Sequence, residues 1–253
     1  MEGNSPIEVD VALSAWPRFA ARLEYFRTAL VSVRKHLVDA YPQISFRLLS
    51  TYEVDSPADL RRMWEACCRE HSVEAIPHEG PPSLGGSLNL LFSRVTAPYA
   101  LYLQEDFCIK RLPHFIDDLA FLEHNPDFGS LRYSFRRVTA EHRTLLRVGN
   151  DRLGDLWELS PAAVNYYSDH PHLRRRTLFA TVGPYRTDGN ARCELDMNAR
   201  MKQLSSQGHP SRIAGRGPGY GLVLHIGTTS SMPEKYAGFK HRPHPAPPAD
   251  FRS

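Results

Sequence analysis

Two adjacent carboxylates, Glu105 and Asp106, close the segment Tyr99-Ala100-Leu101-Tyr102-Leu103-Gln104. The segment is short, mostly apolar and aromatic, and preceded by Pro98, which reads as a buried strand of a parallel sheet. Acidic groups at the C-terminal end of such a strand sit where open α/β sheets bind their ligands. Hard divalent cations take oxygen ligands and often share a diphosphate, so the pair suits a metal–nucleotide site holding Mg²⁺ or Mn²⁺. The competing role is a solvated acidic turn. Other reactive residue types point elsewhere. Cys67, Cys68, Cys108 and Cys193 lack zinc-type spacing and read as reduced thiols of a cytoplasmic protein. Gly215-Arg216-Gly217-Pro218-Gly219-Tyr220-Gly221 evokes a dinucleotide fingerprint, but it precedes a strand and lacks a downstream ribose acid, so a flexible loop is expected. His170-Pro171-His172 reads as a polar turn at a helix start, and Arg174-Arg175-Arg176 as a solvated helix face with one arginine free to touch phosphate. No Gly-x-Ser-x-Gly elbow is present.

The elements that must position the carboxylates follow from periodicity. Ile7–Leu13 reads as a strand, followed by a long helix whose apolar face carries Phe19, Leu23, Phe26, Leu30, Val33 and Leu37. Ile44–Leu49 is a second strand. Ser56-Pro57-Ala58-Asp59 supplies an N-cap, a first-turn proline and a capping-box acid for a helix carrying Leu60, Met63, Trp64 and Cys67 inward. A short strand over 72–76 and a helix with Leu84, Leu88, Leu91, Phe92 and Val95 inward lead to the Tyr99 strand. This alternation implies a parallel sheet with right-handed crossovers. Beyond it, a helix is expected over 112–124, strands over 128–135, 156–159 and 163–167, a helix over 171–182 and another over 194–207 closed by Gly208. A last apolar strand, Leu222-Val223-Leu224, ends in His225. At 253 residues the chain fits one α/β domain over 1–239, with a flexible Pro/His-rich tail over 240–253. A net charge of +3 gives no nucleic-acid footprint. No apolar run spans a membrane, and the N-terminus lacks the pattern of a signal peptide.

In this order the motifs resemble those of the GT-A glycosyltransferases, in particular the inverting family 2, over roughly residues 7–230. Val11-Ala12-Leu13-Ser14-Ala15-Trp16-Pro17-Arg18 is similar to the opening strand and base-cradling loop, and Gly85-Gly86-Ser87-Leu88-Asn89 to the Gly-x-x-x-Asn segment. Leu103-Gln104-Glu105-Asp106 resembles the Leu-Asp-x-Asp metal element, Cys193–Arg200 the Glu-Asp-x-Asp-x-x-x-Arg stretch with the catalytic base, and Leu224-His225-Ile226-Gly227 the late His-x-Gly element. The resemblance implies a single GT-A-like domain with a mostly parallel, Rossmann-like sheet flanked by helices. It implies a metal-dependent, inverting transfer of sugar from a nucleotide-diphosphate sugar to an acceptor hydroxyl. By the same resemblance, Asp106 and His225 hold Mn²⁺ or Mg²⁺, and Ser14, Ala15, Trp16, Arg18, Glu53, Asn89, Gln104 and Glu105 contact the donor.

The resemblance also makes Glu194 the general base, with Asp196 as the fallback. Both are expected at the start of their helix, where its positive end favours ionised carboxylates and where they would otherwise simply charge the N-terminus. Residues two apart point about 200° apart around a helix, so one site cannot use both equally. Trp16 would stack on the base or pack in the core; Arg18 would reach phosphate or cap the following helix. Three departures stand out. Gln104 replaces a metal-motif Asp, the acidic turn after the second strand is replaced by Glu53 or Asp55, and Cys193 stands where the family often has Glu. Two other readings stay open: a nucleotidyltransferase, which lacks support for want of an Arg/Lys-bearing glycine-rich loop after the first strand, and a non-catalytic sugar-nucleotide-binding protein, which Gln104 supports.

Overall fold

A computed structural model describes residues 6–16, 19–133, 140–146, 156–188, 190–216 and 222–227. Arg18, Gly217 to Gly221 and the tail over 240–253 lie outside the described residues. The first half of the chain alternates as its periodicity requires: β1 (Ile7–Ser14), α1 (Ala20–Val33, continued by a π turn to Val38), β2 (Ile44–Glu53), α2 (Ala58–Glu70), β3 (Val73–His78), α3 (Leu84–Ser93) and β4 (Tyr99–Gln104). Then come β5 (Phe107–Ile109), α4 (Phe115–His124), β6 (Phe128–Arg132), β7 (Arg143–Leu145), β8 (Leu156–Leu159), β9 (His172–Arg175), α5 (Thr177–Val182), α6 (Asn190–Ser206), β10 (Arg212–Arg216) and β11 (Val223–His225).

Among the described residues a nine-stranded sheet runs β3-β2-β1-β4-β9-β6-β10-β8-β7. Strands β3, β2, β1 and β4 are parallel neighbours, as are β6 and β10, whereas β9 and β8 are antiparallel to theirs. Both faces are covered, so β1 and β4 are buried almost throughout rather than alternating. On one face Phe26 of α1 stacks on Trp64 of α2, with Leu101, Leu131 and Leu173 beneath. On the other, Leu88 and Phe92 of α3 and Met197 and Met201 of α6 pack over Ala12 and Tyr102. Asp10, buried mid-strand in β1, is explained by its partners. Its Oδ2 accepts from the Thr96 and Ala97 N–H groups at 2.7 and 3.0 Å, and its Oδ1 from Arg47 Nε at 2.9 Å, which fixes the turn that launches β4.

Several expectations need correction. Residues 163–167 form turns, not a strand. The helix expected over 171–182 is split: His172–Arg175 is an antiparallel strand between β4 and β6, and only Thr177–Val182 is helical. His170 and Pro171 thus precede a strand. Arg174 is buried rather than solvated, its guanidinium 4.0 Å from the Phe92 ring centroid. Here tertiary pairing overrides local pattern, since Leu173 faces one core and His172 and Arg174 the other. The helix expected from 112 begins at Phe115, and the strand expected to 135 is described only as far as Arg132. Gly215 and Arg216 belong to β10, not to a loop. Met63 is 44% exposed rather than inward. α2 starts at Ala58 with Pro57 at its N-cap position and no side-chain cap, so Ser56 does not cap it. Gly208 does close α6, at φ +76°.

Candidate active site

The register of β1 and β4 sets Ser14 opposite Gln104, so Glu105 and Asp106 emerge together at the C-terminal end of the sheet. The Glu105 N–H donates to Ser14 O at 3.1 Å. Both carboxylates are buried, at 5% and 6% exposure. Between them lies Arg22, from the first turns of α1, 3% exposed, with Nη1 2.9 Å from both Glu105 Oε1 and Asp106 Oδ2. His225 Nε2 lies 3.2 Å from the same Oδ2. The strand pair β5–β11 delivers it there: His225 is opposite Phe107, their rings 4.8 Å apart, and Ile226 N–H donates to Asp106 O at 2.8 Å. Gly227 completes the wrap. A Cβ there would stand 2.6 Å from Asp106 Oδ2, so the late His-x-Gly element has a physical reason for its glycine. Burial pushes Glu105 up to about 7 against the pull of Arg22. Burial would also raise Asp106, but the His225 hydrogen bond and the Arg22 charge outweigh it, and its carboxyl is held below its ordinary value.

Among the described residues, Asp106 Oδ1 is buried with no hydrogen-bond partner. A buried acceptor of this kind is what a cation fills. Among the described residues no group of three His, Cys, Asp or Glu side chains forms a metal cluster. The described residues therefore offer Asp106 Oδ1, with the His225 imidazole beside it on Oδ2, a set that fits a hard cation completing its shell with diphosphate and water.

The other expected donor contacts divide. Ser14 Oγ and Tyr102 Oη lie 2.8 Å apart, and Ala15 is buried beside them. Trp16 and Gln104 are half-buried at the same strand ends. Glu53, at the end of β2, is paired to His78, Oε2 to Nδ1 2.6 Å, while Asp55 is exposed. Asn89 is engaged: its Nδ2 donates to Tyr185 O at 2.9 Å and its Oδ1 accepts from Tyr185 N–H at 2.7 Å, so it clamps the segment before α6. Gly85 permits that clamp, because a Cβ there would collide with Arg186 O at 1.8 Å.

Glu194 and Asp196 sit one turn inside α6, which starts at Asn190, so the expectation that they open the helix is corrected. Asp196 is bound to Arg200, Oδ2 to Nη2 2.7 Å, and Arg200 also donates to Val182 O and Pro184 O. Glu194 instead accepts from the Asp169 N–H at 3.3 Å. The neighbouring His170 ring lies 5.6 Å from Phe107, which links this carboxylate to the Asp106 side. Burial, then the Glu194 charge, pushes Asp169 well up. Arg132 is 1% exposed; burial lowers it to about 10, against the charge of Glu194. Reading the sequence missed Arg22, Asp169, Arg132 and His78. Arg22 left a signal: it precedes Phe26 by four, on the buried stripe of α1.

No protein-family model and no curated protein matches the chain. Solved structures do. S. aureus TarS 1-349 superposes at TM-score 0.56 and 15% identity over 83% of this chain and 58% of that one. TarS 1-349 has also been solved with UDP-GlcNAc, at TM-score 0.54 and 14% identity. Glucosyl-3-phosphoglycerate synthase from Mycobacterium tuberculosis, in complex with Mn²⁺, UDP-glucose and phosphoglyceric acid, superposes at 0.55 and 15% identity over 92% of this chain and 75% of that one. The fold is GT-A-like: an α/β domain with a large, mostly parallel sheet flanked by helices.

Proposed function

We propose that this protein is a glycosyltransferase that moves a sugar from a nucleoside-diphosphate sugar to an acceptor hydroxyl, with a divalent cation and with inversion. One observation carries the reading: a strand-end aspartate with a buried, open oxygen shares the same end of the sheet with a carboxylate on the covering helix. Asp106 Oδ1 would hold Mn²⁺ or Mg²⁺, and the His225 imidazole, whose Nε2 lies 3.2 Å from Asp106 Oδ2, would turn from that oxygen to join the shell. When bound, the cation supplies a Lewis acid and template for the departing diphosphate. Ser14, Ala15 and Trp16 form the wall against which the nucleotide lies. Arg18, outside the described residues and two positions beyond Trp16, would reach phosphate. Glu53, Gln104 and Glu105 stand around that wall, while Asn89 acts by holding Tyr185.

A hydroxyl is a weak nucleophile, so a positioned carboxylate takes its proton as it attacks. Glu194 suits that task better than Asp196, whose Oδ2 is committed to Arg200. The similar structures solved with UDP, UDP-GlcNAc and UDP-glucose make uridine nucleotides the first donors to try. Because the chain spans 58% of the TarS 1-349 length, the acceptor is left to experiment. A second reading, a sugar-nucleotide-binding protein without transfer, draws on Gln104, an amide where a carboxylate ligand would serve a metal.

The test incubates purified protein with a panel of nucleotide sugars and Mn²⁺ and follows nucleoside diphosphate release, with donor binding by calorimetry. The expected result is slow donor hydrolysis that needs Mn²⁺ and is abolished, with binding, in Asp106→Ala. Binding without turnover of any donor would favour the second reading. Unchanged binding in Asp106→Ala, or with a chelator, would overturn the metal assignment.

A further inference from the structure

Arg22 belongs to neither the nucleotide wall nor the base, yet it is a buried cation fixed between the two strand-end acids. One nitrogen, Nη1, lies 2.9 Å from a carboxylate oxygen of each of Glu105 and Asp106. At 3% exposure, between α1 and the strand ends, the guanidinium is buried against the two acids. A cation placed on Asp106 Oδ1 would lie within a few ångströms of this charge, where Coulomb repulsion is only partly screened. The residue that would have added a third carboxylate is Gln104. The protein part of the site is therefore two acids already sharing a permanent positive charge.

We propose that Arg22 makes the cation site conditional on the nucleotide: the free protein binds a divalent cation weakly, and the diphosphate supplies the missing negative charge. This rests on the sugar-nucleotide reading above. A diphosphate brings charge and oxygen ligands together, so cation and nucleotide enter as one unit or not at all. Arg22 is a positioning residue in this scheme. It holds Asp106 Oδ2, together with His225, and thereby leaves Oδ1 as the oxygen that faces the cation.

The test counts bound Mn²⁺ by loss of the free-ion electron paramagnetic resonance signal, with UDP as the nucleotide probe. Wild type is expected to bind Mn²⁺ alone at least tenfold more weakly than in the presence of saturating UDP. Arg22→Met, which strips the charge and leaves both acids, is expected to bind Mn²⁺ alone at least tenfold more tightly than wild type, and its melting temperature should rise with Mn²⁺ alone. Arg22→Lys, which keeps the charge, should return both behaviours to wild type. A gain in affinity joined to a higher melting temperature in Mn²⁺ reports binding to the folded state, which damage to the fold does not produce. In a wild type shown to bind UDP, equal Mn²⁺ affinity with and without UDP overturns the proposal, whatever the variants do. So does a folded Arg22→Met that binds Mn²⁺ no better than wild type. Failure of wild type to bind UDP under any condition would instead overturn the sugar-nucleotide reading; a gain in Mn²⁺ affinity in Arg22→Met would still establish Arg22 as the counter-charge of the acid pair.

Discussion

Acidification from about pH 7 to about pH 5 is expected to remove about 2 kcal/mol of stability through His172 alone. The ring is 1% exposed in β9, between Tyr102 and Tyr167, and its Nδ1 lies 2.8 Å from His170 O. Burial, then the charge of Arg174, lowers its pKa from 6.5 to about 3. In the unfolded chain the imidazole protonates below 6.5, while in the folded protein it stays neutral down to about 3. The unfolded state therefore binds the extra proton throughout that window, and stability falls as pH falls through it. Each unit below the unfolded value favours unfolding by about 1.4 kcal/mol, so about a unit and a half gives about 2. The assay is urea unfolding of wild type and His172→Asn at both pH values; the asparagine amide can still donate to His170 O. Other groups titrate equally in both proteins, and lost packing against Tyr102 is present at both pH values, so the difference of differences isolates the imidazole. Equal losses in the two proteins would refute the reasoning.

Two further outcomes follow from the site and the core. Glu194→Gln should lose about 10²–10⁴ in turnover while still binding donor; Asp196→Asn should chiefly lower the melting temperature, because it releases Arg200 from its clamp on Val182 and Pro184. The reverse pattern in kinetics would mean the base register is wrong by two residues. The four cysteines are all buried and outside any disulfide; burial raises Cys67 and Cys193 and lifts Cys68 and Cys108 to about 12. The folded protein should therefore be silent to Ellman's reagent near neutral pH and react fully on unfolding, and rapid reaction of the native protein would contradict the packing.

The first half of the fold was legible because its signals are local. Each strand is an apolar run, each helix a stripe at three- and four-residue steps, and together they force parallel neighbours with crossovers. The second half was not, because its elements are specified by partners distant in sequence. His172–Arg175 carries one apolar residue in four and becomes a strand only because β4 and β6 accept it from both sides. Arg132 and Arg174, which composition assigns to the surface, are buried among Asn165, Tyr166, Tyr185 and Phe92. In the site, Asp106 and His225 could be brought together from their strand ends, since each closes an apolar run. Asn89 shows the limit of such matching: the segment was placed correctly on α3, but its amide is spent on the Tyr185 backbone.

Gln104 and Arg22 are best understood together. Asp106 is held through its carbonyl by Ile226 N–H and through Oδ2 by Arg22 and His225, with Gly227 packed against that same oxygen. A carboxylate so confined cannot rotate to share its charge with a neighbour. A third acid at 104 would replace the amide that hydrogen-bonds the buried Tyr102 side chain, next to a Glu105 that burial already pushes up to about 7. Restoring it, by Gln104→Asp, should therefore lower stability in the absence of ligand while raising affinity for Mn²⁺ alone. Those opposite signs separate charge balance from simple damage, because a merely disruptive substitution would lower both. Measured by thermal unfolding with and without Mn²⁺, a variant that is as stable as wild type and no better at binding the cation would show that the amide at 104 has nothing to do with the charge of the site.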